Sequence, residues 1–267
     1  VNGGAWMTEP KTMTFFEHLA ELRKKIIVSL CALIVMFIVC FNYSEYIFKF
    51  MIFPLKYTLD FSVKHLYIHF IYDDKLQNTK LIFLSPTEGF WMNMKVALVS
   101  AFIISLPIIF HQLWSFLSPG LHEKEKKYIL PFILFATGLF LIGASFCFFI
   151  VLPFAMKFLL TYKIGDYMMP MLSVGQYVDF CLKFILAFGI VFELPIIIIF
   201  FTKMGFVTPD TLASKRKYAI VLAFIIAAIL TPTPDVFNQT LMAVPMILLY
   251  EVGILMSRLF IRKNQLV

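Results

Sequence analysis

Six blocks of apolar residues constrain this chain more than any other feature. They cover residues 26–41, 96–116, 128–154, 178–201, 218–230 and 241–260. A helix rises about 1.5 Å per residue, so roughly 20 residues cross the ~30 Å hydrocarbon core of a bilayer. The blocks are apolar on every side rather than alternating, which argues against a closed barrel of strands. In lipid each backbone donor and acceptor must be satisfied within its own segment, and helices do this. Composition agrees: 61% of the 267 residues are apolar and 15% charged, against about 45–50% and ~25% in soluble domains. The expected fold is an all-α membrane protein, six transmembrane helices forming one integral-membrane domain over residues 1–267. Trp91 and Trp114 flank the second block, where aromatic side chains are expected as interface anchors.

The cations give the expected orientation. Fourteen of the 23 Lys and Arg residues fall in four clusters: 11–25, 124–127, 203–217 and 258–263. Seven others sit in the intervening loops among acids. The positive-inside rule puts both termini in the cytoplasm. Arg23-Lys24-Lys25 before an apolar block resembles a cleavable leader, but no small-x-small site follows, so the block is expected to remain as the first span. Forty-nine residues without structure are improbable, so the 42–90 loop is expected to fold as an outer cap, with Tyr46–Leu55 at the interface. The fifth block is short, ~20 Å long, and Thr231-Pro232-Thr233-Pro234-Asp235 stops it. It requires a thinned bilayer or a docked partner helix.

Few residues offer chemistry. Thr14 and Glu17 have the spacing of a capping box, and Phe15, Leu19, Leu22 and Ile26 form an apolar stripe behind them. Glu17 and Glu21 share another face, four residues apart. Glu21 can receive an incoming cation, or simply pair with Lys25. Glu193 lies near mid-bilayer beside Pro195; a charged group there costs on the order of 2.5–3.5 kcal/mol and is expected to face protein or water. Asp235 is placed to cap the sixth helix, and Gln239, one turn on, to hydrogen-bond a neighbouring helix. Glu123 and Glu125 occupy a charged loop. Cys31, Cys40, Cys147 and Cys181 read as small apolar residues. His65 and His69 are four apart but lack supporting ligands, so no metal or cofactor is expected. The motifs of nucleotide-binding loops, nucleophile elbows and zinc proteases are absent, and the chain is not expected to be an enzyme.

A series of short fragments runs along the chain: His18-Leu19-Ala20-Glu21-Leu22-Arg23, Pro54-Leu55 and Ser85-Pro86-Thr87-Glu88 come first. Gln112-Leu113-Trp114-Ser115-Phe116, Ser118-Pro119-Gly120-Leu121 with Glu125, Phe192-Glu193-Leu194-Pro195 and Pro234 to Thr240 follow. Taken together and in this order, these fragments resemble the TatC family, the large subunit of the twin-arginine protein translocase. The resemblance implies a concave, glove-shaped bundle with both termini in the cytoplasm, in the cytoplasmic membrane. It implies a receptor for signal peptides bearing paired arginines, exporting folded proteins under the proton-motive force. By resemblance Glu21 and Glu125 receive the arginines, with His18 and Arg23 in the same patch, and Glu193 is the intramembrane acid. Thr231 or Thr233, Asp235 and Gln239 fall where the family meets its small single-span partners, of the TatA and TatB type. The implied setting is membrane lipid and a receptor complex with several copies of the chain, without nucleic acid. Two other readings remain open: an ion- or proton-coupled small-solute transporter using Glu193, and a scaffold subunit of a respiratory complex.

Overall fold

A computed structural model of the chain describes residues 15–62, 67–72, 81–117, 129–161, 171–231 and 235–264. Helix α1 (Phe15–Asn42) leads into two short helices, α2 (Ser44–Met51) and α3 (Phe53–Lys56). Strands β1 (Tyr57–Ser62) and β2 (Tyr67–Tyr72) pair antiparallel, with Tyr57 opposite Tyr72. After β3 (Leu81–Ile82) come α4 (Glu88–Leu117) and α5 (Ile129–Phe146). A wide π-helical turn (Cys147–Val151) joins α5 to α6 (Leu152–Thr161). Strand β4 (Leu172–Ser173) pairs parallel with β3. Helices α7 (Val174–Phe192), α8 (Leu194–Lys203), α9 (Pro209–Ser214), α10 (Arg216–Leu230) and α11 (Val236–Asn264) complete the chain.

Five helical stretches among the described residues are long and apolar enough to cross a membrane. They correspond to the first, second, third, fourth and sixth expected blocks, each longer than its apolar core. Lipid requires only the apolar part, while the backbone ladder runs on into the polar flanks. The fifth block forms α10, whose 15 residues reach about 22 Å and fall short of that length. Prolines account for the breaks. Pro153 and Pro195 have no N–H to give the carbonyls of Phe149 and Val191, and the helix opens into the π turn before the first and breaks at Glu193 before the second. Glu193 N–H turns instead to Ile190 O at 3.0 Å.

The core gathers around α7. Tyr177, Phe184 and Phe188 are fully buried along it, facing Phe140, Val151 and Leu152 from the third span. Two glycines permit this approach. A Cβ on Gly143 would lie 2.6 Å from the Phe192 ring and 2.7 Å from the Phe188 carbonyl oxygen, and one on Gly189 would strike the Phe140 ring. In lipid, where no hydrophobic force drives helices together, such close packing is what holds them.

Within the 42–90 region the described residues form two short helices and a strand pair that pack on the third span. Phe50 stacks on Phe148 at 4.6 Å and Phe53 lies 6.0 Å from the same ring, docking the short helices on the π turn. The Tyr177 hydroxyl donates to the Met51 carbonyl. Trp91 is exposed, whereas Trp114 is only 8% exposed, wedged edge-on between Phe132 and Phe200 at 4.0 and 4.9 Å. The expected anchoring role for Trp114 is therefore replaced by packing, because α5 and α8 converge on it. His69 lies on a strand; His65 and Thr14 fall outside the described residues.

Gly143→Leu is expected to lower stability by about 1–3 kcal/mol, as overpacking against backbone does. Gly138→Ala, where an added Cβ meets nothing within 4 Å, should be neutral or slightly stabilising. Thermal unfolding of the purified protein in detergent reads both.

Candidate functional site

The acidic start of α1 is carried on an uninterrupted helix and packed against the far end of α4. His18 stacks on Phe116, with ring centroids 4.3 Å apart and planes 18° from parallel. One turn on, Glu21 Oε1 lies 3.9 Å from Lys25 Nζ. Such a pair at partial exposure contributes only about 0.3–0.5 kcal/mol. Lys25 makes a closer contact across the helix interface, donating to Ser115 Oγ at 2.6 Å. Glu21 Oε2 is buried and has no hydrogen-bond partner among the described residues. Leaving a buried acceptor unpaired costs about 1–3 kcal/mol, more when it is charged. The expected Glu21–Lys25 pairing is present, then, but leaves half of the carboxylate unused. Arg23 is exposed on the same turn. Glu123 and Glu125 lie outside the described residues.

Glu193 sits at the α7–α8 break, 9% exposed, and among the described residues its buried Oε1 has no partner. No metal-ligating cluster occurs among the described residues.

The junction between α10 and α11 is a third polar point. Thr231 is buried and its hydroxyl donates back to Ala227 O at 2.8 Å, while Thr233 lies outside the described residues. Asp235 caps α11: Oδ1 accepts from Asn238 N–H at 2.7 Å and Oδ2 from Asn238 Nδ2 at 2.9 Å. Gln239 Nε2 reaches across to Phe224 O at 3.0 Å, tying α11 to α10 as its position implied. The opposite end of α10 is held by Arg216, whose Nε and NH2 fork onto Glu251 at 2.6 and 2.9 Å. Its remaining face is apolar and bare, with Ile229 76% exposed.

The order of these points along the chain matches one family. The TatC model, Sec-independent protein translocase protein, matches residues 17–245. The chain belongs to the TatC family. It is 39% identical to the TatC of Carboxydothermus hydrogenoformans, over 96% of this chain and 97% of that one. The TatC of Helicobacter pylori is 42% identical, over 91% of this chain and 86% of the relative. A solved structure described as the twin-arginine translocase receptor TatC superposes with a TM-score of 0.76 at 40% identity, covering 91% of this chain and 99% of that one. A second, of the same receptor in DDM, gives 0.77.

Several polar contacts of this TatC-family chain were missed from the sequence. Lys95 pairs with Asp179 at 2.7 and 2.9 Å, bracing α4 against α7. Glu88 accepts from Gly175 N–H at 2.7 Å, from Leu84 N–H at 2.6 Å and from the Ser173 hydroxyl, so its carboxylate caps the start of α7. A lone charge inside or beside an apolar block was the available signal, although spacing alone does not name its partner.

Asp235→Ala is expected to cost about 0.5–2 kcal/mol, the price of an N-cap, while Asp235→Asn keeps most of it. Thermal unfolding distinguishes the two.

Proposed function

We propose that the chain is the core subunit and signal-peptide receptor of a twin-arginine translocase. It exports folded proteins across the cytoplasmic membrane under the proton-motive force, with both termini on the cytoplasmic side. Its six helices include the short α10 and form a concave bundle in a single domain. Glu21 and Glu125 receive the arginine pair of the signal peptide, with His18 and Arg23 beside them. TatA- and TatB-type single-span subunits dock around Thr231, Thr233, Asp235 and Gln239, in a complex holding several copies of the chain. Glu193 serves as the acid inside the bundle.

The observation that supports this reading best is the half-used carboxylate of Glu21. A guanidinium is a planar fork that grips both oxygens of a carboxylate, which an ammonium does not do. A charge-assisted hydrogen bond contributes about 1.5–3 kcal/mol. Two arginines therefore supply ~3–6 kcal/mol, short of the roughly 8 kcal/mol of micromolar binding. The remainder comes from the apolar stretch of the signal peptide against the bundle. The bare face of α10 supports a partner helix there, since a helix of that length is too short to span alone. Solute transport on Glu193 would call for a second buried charge bonded to it, and among the described residues Glu193 Oε1 has no partner.

Glu21→Ala and Glu125→Ala are each expected to weaken binding of an Arg-Arg signal peptide roughly 10–100-fold, the equivalent of one charge-assisted contact. Site-specific photocrosslinking in membranes measures it. Unchanged crosslinking in both variants would falsify the assignment.

A further inference from the structure

We infer that Lys25, anchored on Ser115, is the resident counter-ion of Glu21 and sets the preference of this site for guanidinium over ammonium. The inference rests on the reading of Glu21 as an arginine-binding group and adds the residue pair that makes the group selective.

The geometry is lopsided. Lys25 Nζ is 2.6 Å from Ser115 Oγ and 3.9 Å from Glu21 Oε1. The ammonium is thus hydrogen-bonded to the other helix and only near its own carboxylate. It neutralises Glu21 without occupying the hydrogen-bonding positions of either oxygen, and among the described residues the buried Oε2 has no donor. The side chains of Lys25 and Glu21 are 21% and 24% exposed, so the pair is partly shielded from water, and charge there is felt more strongly than on an open surface. His18, stacked on Phe116 one turn away, holds α1 against α4 and so maintains the gap between Lys25 and Glu21.

Two cations arriving at this site meet different receptions. An ammonium brings a compact, strongly hydrated charge beside one already present. It duplicates what Lys25 supplies and is repelled by it. A guanidinium spreads its charge over a plane, sheds water more readily and presents parallel N–H groups to both carboxylate oxygens. Once the partly exposed Glu21 side chain turns its buried Oε2 outward, the fork makes the bond to it that Lys25 does not make. Lys25 thereby raises the threshold that any cation must pass, and a fork passes it where a point charge does not.

Ser115 has a definite part. By holding the ammonium on α4 it keeps Lys25 from closing the 3.9 Å gap. Without that hydroxyl, Lys25 is free to bond Glu21 directly and compete with cargo. The two substitutions therefore have opposite signs. Removing Lys25 opens the site to ammonium, and removing the Ser115 hydroxyl closes it to guanidinium.

The test uses the full chain in nanodiscs and two fluorescent signal peptides, identical except for an Arg-Arg or a Lys-Lys pair. Fluorescence anisotropy gives both affinities, and thermal unfolding is measured on every variant. The wild-type protein prefers the Arg-Arg peptide. Lys25→Gln tightens Lys-Lys binding and compresses the Arg/Lys ratio by about twofold, the scale of one partly exposed ion pair. Ser115→Ala weakens Arg-Arg binding by a similar factor. An unchanged ratio in a folded Lys25→Gln protein overturns the counter-ion inference while leaving Glu21 as receptor. Should Lys25→Gln not fold, unchanged Arg-Arg affinity in Ser115→Ala overturns it equally. A wild-type protein without preference removes both readings.

Discussion

Close packing around α7 is what the other helices depend on. This helix contributes buried side chains on most of its surface, and the third span approaches it closely enough that Gly143 and Gly189 admit no Cβ. In water such a core would be driven by the release of apolar surface. In lipid the surroundings are as apolar as the helix, and only dispersion at short range and interhelical polar contacts favour association. Each polar contact to α7 consequently has positional meaning. Glu88 caps its start, Tyr177 ties it to the cap, and Lys95–Asp179 braces it to α4.

The peripheral helices have less to hold them. Helix α1 leaves much of its apolar surface exposed and rests mainly on α4 among the described residues, and α10 is bound mainly to α11. Each is fastened by a few polar contacts: Lys25–Ser115 for α1, Arg216–Glu251 and Gln239–Phe224 for α10. A helix attached by a few directional bonds can exchange them for bonds to another molecule at little cost. That is the physical reason to look for recognition at the edges of this bundle rather than in its core.

Much of the candidate site was legible from spacing. The Asp235 cap, the Gln239 cross-link and the Glu21–Lys25 pairing all depend on residues within one or two turns, or on a side chain long enough to reach the next helix. Trp114 was misread because a tryptophan near the end of an apolar block suits an interface equally well. Only the convergence of Phe132 and Phe200 on it decides for packing. The lengths of the spans were underread for a related reason: hydropathy marks where lipid lies, not where the backbone ladder ends.

The chain's own order of residues determined that it forms membrane helices, that the fifth block is short and which acids begin the helices, because these follow from hydropathy and from hydrogen bonds between near neighbours. The tertiary structure alone decided that Lys25 meets Ser115 90 residues away and that Lys95 meets Asp179 84 residues away. Such pairings turn on how two helices are rotated and staggered against each other. That rotation is set by the fit of many apolar side chains at once, and no local spacing encodes it.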